Sequence, residues 1–293
     1  MREAGGFSDV YQYTAIPNTL RVQIVHIWTS AYGVRSNSDS IDTLFQEFHD
    51  ILCREYGIFN LTERRESYFD KLANFMIESR DTEKVLDVIE IVFKDLDFNF
   101  RKYYFALDGV SQDPDDAITE LNARFREHGV GFQYESGRIL RVDSQLIHTE
   151  VVKPALLFLS GKEFTGANQE FLSAHGHYRE QKFKECLNDC LKAFESTMQS
   201  ICAKRKWQHP PTATAKTLLD LLFQKDLIPS FMQSHFTGLR ATLEAGVPTV
   251  RNKLGGHGQG ISPVEVPEFV AAYALHLTAT NILFLVQADK AIK

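Results

Sequence analysis

Phe183 to Cys202 reads FKECLNDCLKAFESTMQSIC, and Leu187, Leu191, Phe194, Met198 and Ile201 recur in it at intervals of three and four. That is the period of a helix with one apolar face, so the stretch predicts a long amphipathic helix with an inner side. Toward the C-terminus, a turn-rich piece at Trp207–Ala213 holds Pro210-Pro211 and separates this helix from three more, over Thr214–Leu227, Phe231–Glu244 and Val266–Ala288. The last carries Phe269, Tyr273, Leu277, Ile282, Phe284 and Leu285 on more than one side, which puts it at the centre of a bundle or at a subunit interface. Toward the N-terminus lies one more helix, Glu170–Arg179. Before it comes Gly161–Asn168 (GKEFTGAN), with two glycines and no apolar period, the best domain boundary in the chain.

The front half repeats the helical pattern. Leu20, Ile24, Ile27, Trp28 and Ala31 form one stripe, and Leu44, Phe45, Phe48, Ile51, Leu52 and Tyr56 another that Gly57 stops. Tyr68, Leu72, Phe75 and Met76 mark a third helix. Asp81 caps a fourth that carries Val85, Val88, Ile89, Val92 and Phe93, and Asp113-Pro114 opens a fifth, because Asp accepts the free first-turn amides and Pro fits the first helical position. The period then changes: GFQYESGRILRV, within Val130–Val142, reads as two short strands around Glu135-Ser136-Gly137, and Ser144–Ser160 returns to helix. The expected fold is mainly α, with an N-terminal, mostly helical domain over 1–162 that holds one small β-hairpin, and a C-terminal helical bundle over 168–293.

Composition bounds the function. At 293 residues, with 44% hydrophobic and 24% charged, the chain has ample material for a core, and 22 Phe against 2 Trp make that core rich in phenylalanine. No run of 18 apolar residues and no basic-then-apolar start is present, so neither a membrane span nor a secretory signal is expected. Cys53, Cys186, Cys190 and Cys202 contain no CxxC pair, which reads as reduced, buried thiols in a cytosolic protein. The net charge is −6, but it is uneven. From Asn168 on there are 14 basic and 11 acidic residues, and before it 18 and 27, so any polyanion ligand belongs to the back half.

One stretch stands apart. Val247–Ile261, VPTVRNKLGGHGQGI, together with Gly246 before it, holds five glycines, Arg251, Asn252, Lys253 and His257 between two apolar helices. It reads as a solvated interhelical turn or as a backbone that must approach a ligand closely. A planar guanidinium binds two phosphate oxygens at once, and an imidazole exchanges a proton near neutral pH. Those are the parts needed to cleave RNA without a metal. Spacing alone is weak, because about 1.6 Arg-x(4–6)-His matches are expected by chance and three occur. In the other two, Arg21 to His26 and Arg141 to His148, the arginine is followed by Val; only Arg251 is followed by a polar residue.

The chain also resembles a known family. Glu170–Glu180 (EFLSAHGHYRE), Lys184–Trp207, Leu227–Gly260 and Val264–Ala288 (VEVPEFVAAYALHLTATNILFLVQA) are similar to the HEPN domain of abortive-infection (Abi) proteins, in its C-terminal type. Ser8–Trp28 (SDVYQYTAIPNTLRVQIVHIW) and Glu120–Ser160 resemble the same family's N-terminal helical region. The resemblance implies a role in defence against phage, with an antitoxin or a phage-derived trigger as partner. It further implies a cytoplasmic, metal-independent and cofactor-free endoribonuclease that works as a homodimer. Its Arg-polar-x(4)-His motif falls on Arg251, Asn252 and His257. The implied reaction is attack of a ribose 2′-hydroxyl on the adjacent phosphate, with His257 moving the proton, Arg251 stabilising the phosphate charge and Asn252 orienting the ring or an oxygen. One such pair supplies a single proton-transfer group where the reaction uses a base and an acid, and a two-fold dimer with two facing loops supplies both. The alternative is a non-catalytic module that binds RNA, nucleotide or protein through the same loop.

Other residues compete for roles. Glu195, with Lys192 one turn earlier, makes a salt bridge or a capping contact, or else supports His257 from behind. Lys204, Arg205 and Lys206 end a helix, where they complement its dipole or, like Lys253, contact an RNA backbone. His175 and His177 face nearly opposite sides of their helix, which argues against a joint metal site, and His209 beside Pro210 reads as a solvated loop residue.

Overall fold

A computed structural model describes residues 11–34, 38–245 and 266–292. They form a mainly helical protein in two compact units, divided at Asp143/Ser144, and the only sheet among the described residues is a two-stranded one.

The front unit holds α1 (Asn18–Tyr32), α2 (Ser38–Tyr56), α3 (Tyr68–Glu78), α4 (Thr82–Phe98), two 3₁₀ turns at Phe100–Lys102 and Tyr104–Ala106, α5 (Pro114–Glu127), and strands β1 (Phe132–Glu135) and β2 (Arg138–Arg141). The start signals act as the sequence predicts. The Asp81 carboxylate accepts the amides of Glu83 and Lys84, Ser67 accepts that of Asp70, and Asp113 accepts that of Asp116 beside Pro114. The hairpin pairs Phe132 with Arg141 and Glu135 with Arg138, and turns at Ser136 and Gly137, both with positive φ. It docks on α5 through Asn122, whose side chain bonds both the amide and the carbonyl of Tyr134. The core is aromatic: Trp28, Tyr32, Phe45, Phe93, Phe100 and Phe125 are fully buried, and the Tyr32 hydroxyl donates to Asp95 at 3.0 Å. Arg21 of α1 is buried against the open end of α3, where its guanidinium donates to the carbonyls of Met76, Ile77 and Ser79. Those carbonyls lie in the last turn and the C-cap of α3, where helix carbonyls run out of helical donors.

The second unit begins with a helical run in three pieces: α6 (Gln145–Ile147), a π turn at His148–Val152 and α7 (Lys153–Leu159). The sequence predicts one continuous helix here; Pro154 has no amide to give, and the winding widens just before it. Then come α8 (Thr165–Arg179), α9 (Phe183–Arg205), α10 (Ala215–Gln224), α11 (Gln233–Ala245) and α12 (Glu268–Ala291). The boundary stretch Gly161–Asn168 forms a 3₁₀ turn at Lys162–Phe164 and the first turn of α8, which starts five residues before the predicted Glu170. Helix α9 is the hub, packed against α8, α10, α11 and α12. Its inner face keeps Leu187, Phe194, Met198 and Ile201 but takes Cys186, Cys190, Ala193 and Thr197 in place of Leu191, which is half-buried. All four cysteines are free and buried. Phe194 and Phe236 stack at 6.3 Å, tying α11 to α9.

Helix α12 is long and apolar enough to cross a membrane, the one such helix among the described residues; half of that window is buried in the protein, and its buried side includes Asn281 and Asp289. It is packed as a core helix. Two of its aromatics, Phe269 (75% exposed) and Tyr273 (57%), lie one turn apart on the outer surface.

Gly33 ends α1 in the left-handed region (φ 60°), and a Cβ there would sit 2.8 Å from backbone atoms of Asp108, Gly109 and Val110. Neither the left-handed conformation nor the backbone contact can be relieved by a rotamer change. Gly33→Ala is expected to lower stability by roughly 2–4 kcal/mol, combining the positive-φ and overpacking costs. Urea unfolding measures it, and an unchanged midpoint would contradict this packing.

Candidate active site

Arg251, Asn252, Lys253 and His257 lie outside the described residues. The described chain leaves α11 at Ala245 and resumes at Val266. Val266, Pro267 and Glu268 line a cleft of about 700 Å³ with Gln181, Lys182 and Glu185, which form the α8–α9 turn and the first turn of α9. Helices α9 and α12 both begin in this cleft, and neither N-cap side chain accepts a first-turn amide.

From the cleft a polar seam runs between α8 and α9. Glu185, Asp189 and Lys192 are spaced i, i+4 and i+7, on one face of α9. Asp189 is 7% exposed. Its Oδ2 lies 3.0 Å from Nδ1 of His177 on α8, and its Oδ1 accepts from the Lys192 ammonium at 2.9 Å. His177 sits one turn behind the cleft, where its carbonyl accepts the Lys182 amide at 2.8 Å. The hydrogen bond from Lys192 to Asp189 raises the ammonium above its usual range, and Glu170 adds to the shift. Glu170 also holds a buried carboxylate oxygen without a hydrogen-bond partner.

The structure separates Glu195 from Lys192. Lys192 joins Asp189, whereas Glu195 Oε1 accepts the Ala215 amide at 2.7 Å and so closes the N-terminus of α10, whose Thr214 makes no side-chain cap. The basic cluster divides as well. Lys204 and Arg205 both bind Asp289 of α12, at 2.5 Å and 2.6 Å, and Arg205 also reaches the carbonyls of Asp289 and Ile292. Burial pushes the Asp289 carboxyl up, but the two cations more than reverse this and leave it below its ordinary range. Lys206 ends α9 in the left-handed region with its side chain exposed. His209 is half-exposed, with Nδ1 3.0 Å from the Pro210 carbonyl oxygen.

The sequence reading missed His177 with Asp189. Helical spacing turns His177 away from His175, and the structure keeps the two apart: His175 is buried and His177 partly exposed. The signal was a histidine in the last turn of one helix and an aspartate on the polar side of the next. Among the described residues, no group of three or more His, Cys, Asp or Glu side chains could hold a metal ion.

Comparison with known families places both parts of the chain. Residues 2–157 match the AbiJ N-terminal domain 4, and residues 165–289 match the HEPN-like domain Abi_C. The chain belongs to the abortive-infection (Abi) family. No curated protein and no solved structure matches it. The HEPN-like match runs from the first turn of α8 to Asp289, so it takes in the cleft, the seam and residues 251–257.

The HEPN-like unit of this Abi protein also buries a histidine without hydrogen bonds. His175 is 2% exposed, neither ring nitrogen has a partner, and its ring meets Phe171 edge-on at 4.8 Å. Burial, then the charges of His148 and His276, lower its pKa from 6.5 to about 3. A histidine whose folded pKa is depressed favours the folded state fully above its unfolded pKa, and that contribution declines as pH falls below about 6.5 toward 3. Stability is expected to drop by about 1.4 kcal/mol per pH unit for this one proton. Urea midpoints at pH 7.5 and 5.5 should converge in His175→Leu relative to the wild type; equal slopes in the two proteins would refute the assignment.

Proposed function

We propose that this Abi protein is a metal-independent endoribonuclease of abortive infection, with Arg251, Asn252 and His257 as its site. What supports the reading is the placement of the Arg251–Asn252–x(4)–His257 spacing within the HEPN-like match, ahead of α12. The 2′-oxygen attacks phosphorus, the bond to the 5′-oxygen breaks, and the products carry a 2′,3′-cyclic phosphate and a 5′-hydroxyl. Arg251 binds the phosphate oxygens as charge builds on them, His257 transfers a proton, and Asn252 holds the ring or an oxygen. Lys204 and Arg205 are engaged with Asp289, which leaves Lys253 and the exposed Lys206 as the cations for RNA backbone contact.

RNA should be cut in EDTA and DNA left whole, since DNA lacks the attacking hydroxyl. Arg251→Ala and His257→Ala should each lower cleavage by at least about 100-fold. Only Arg251→Ala should weaken RNA binding. RNA-end mapping and a filter-binding assay separate these effects. His257→Ala that cleaves at the wild-type rate would replace the nuclease reading with that of a non-catalytic module binding RNA through the same loop.

The same reading calls for a homodimer, and what supports one is the outer face of α12. Phe269 and Tyr273, exposed one turn apart, are the apolar surface through which two copies pair. Light scattering should give a dimer, and Phe269→Glu with Tyr273→Glu should give a monomer of unchanged helicity; a monomeric wild type at micromolar concentration would remove the interface.

A further inference from the structure

Helix α10 has two faces. Leu218, Leu219 and Leu222 are buried on one side. The other side carries Thr217, Asp220, Leu221 and Gln224 at i, i+3, i+4 and i+7, and with Gln208, His209 and Pro210 these residues line a cleft of about 410 Å³. We propose that this cleft is a nucleobase subsite that holds one guanine of an RNA, with Asp220 reading the base's pairing edge. The inference deepens the ribonuclease reading, from which it takes RNA as the ligand, and every residue it uses belongs to the described chain.

Both walls of the cleft are held in place. Glu195 Oε1 accepts the Ala215 amide at 2.7 Å and so anchors the first turn of α10 to α9. On the opposite wall the Pro210 carbonyl accepts the Ala213 amide at 3.0 Å, and His209 Nδ1 lies 3.0 Å from the same oxygen. A carbonyl oxygen only accepts, so Nδ1 carries the proton and ties the ring to the Pro210-Pro211 turn, whose φ angles the prolines fix. The polar groups between the walls are uncommitted. Among the described residues, the exposed side chains of Gln208, Asp220 and Gln224 make no hydrogen bond.

His209, Pro210 and Leu221 supply the ring and the apolar lining against which an unstacked base rests, as proteins hold single-stranded RNA. The polar groups then choose the base. Guanine alone of the four presents two neighbouring donors on its pairing edge, N1–H and the N2 amino group, and one carboxylate has two oxygens to accept them. Uracil offers a single donor between two carbonyls, which a carboxylate repels. Adenine and cytosine each set one amino group beside a bare ring nitrogen. The amides of Gln208 and Gln224 donate to the remaining guanine acceptors, O6 and N7. Cations for the backbone stand beside the cleft: exposed Lys206 precedes Gln208 by two residues, at most about 7 Å along the chain, and exposed Lys216 adjoins Thr217.

The test titrates the full chain with GMP, AMP, CMP and UMP, which carry no phosphodiester to cleave, and follows binding by saturation-transfer NMR. GMP is expected to bind about 5-fold or more tightly than UMP, the discrimination of one bidentate contact. Asp220→Asn should remove that preference at unchanged helicity, since the exposed carboxylate supports no other group. Gln224→Ala should weaken GMP more than UMP, whereas Lys206→Ala should weaken all four alike and most at low salt. Mapped RNA ends should lie at a fixed offset from guanine for the wild type and lose that bias in Asp220→Asn. Equal affinities for the four nucleotides, or a guanine preference that Asp220→Asn retains, would overturn the inference and leave the nuclease reading standing. Equal loss of all four nucleotides in Asp220→Asn would overturn it too, because the carboxylate would then support the cleft without reading the base. A guanine preference that depends on Asp220 in a wild type that cuts no RNA would keep the guanine site and remove the nuclease reading alone.

Discussion

The packing of the HEPN-like unit depends on the register between α9 and α12, and one buried carboxylate fixes it. Asp289 is 1% exposed and receives Lys204 and Arg205 from the far end of α9. Removing both cations would leave the buried carboxylate uncompensated, a cost of about 3–5 kcal/mol. The two helices, 23 and 24 residues long, each span roughly 35 Å at 1.5 Å per residue. Pinned at one end, they meet again at the other, where Val266–Glu268 and the α8–α9 turn line one cleft. A sliding step of one residue at Asp289 would carry Glu268 past Glu185 by the same amount.

The same clamp explains why basic residues mislead when read singly. In sequence Lys204-Arg205-Lys206 is a cationic patch at a helix end; in space two of the three answer a carboxylate 84 and 85 positions away. Glu195 tells the same story with opposite sign. Its neighbour by spacing is Lys192, but its partner is a backbone amide at the start of α10. A salt bridge and a cap compete for the same carboxylate, and only packing decides between them.

Local chemistry was the legible part. Asp81, Ser67 and Asp113-Pro114 start helices by bonding amides two or three residues away, and Ser136-Gly137 turns a hairpin through its own backbone, so the residues concerned stand side by side in the sequence. The blocks Glu170–Glu180, Lys184–Trp207, Leu227–Gly260 and Val264–Ala288 carry the HEPN-like resemblance in the sequence itself. What escaped was relational. No residue code announces the π turn at His148–Val152 beyond the proline that follows it, and Leu191 yields its place on the inner face of α9 to cysteine and alanine because neighbouring helices approach closely there. His177 and Asp189 were visible as letters, but their pairing requires knowing which faces of α8 and α9 meet. Arg251, Asn252 and His257 are legible from spacing and context alone.

The buried thiols give this architecture its own clock. Cys53 lies in the front unit, and Cys186, Cys190 and Cys202 line the inner face of α9 in the other. A thiol enclosed in a packed core reacts with a soluble probe only when its surroundings open, so modification rates report opening free energies rather than surface chemistry. Burial also raises Cys53 and Cys202 above the usual thiol range, which slows any reaction that needs the thiolate. Because the two units carry separate cysteines, their openings can be timed independently in one unlabelled chain. Whatever loosens the HEPN-like bundle alone would be recorded in α9 while Cys53 stays silent.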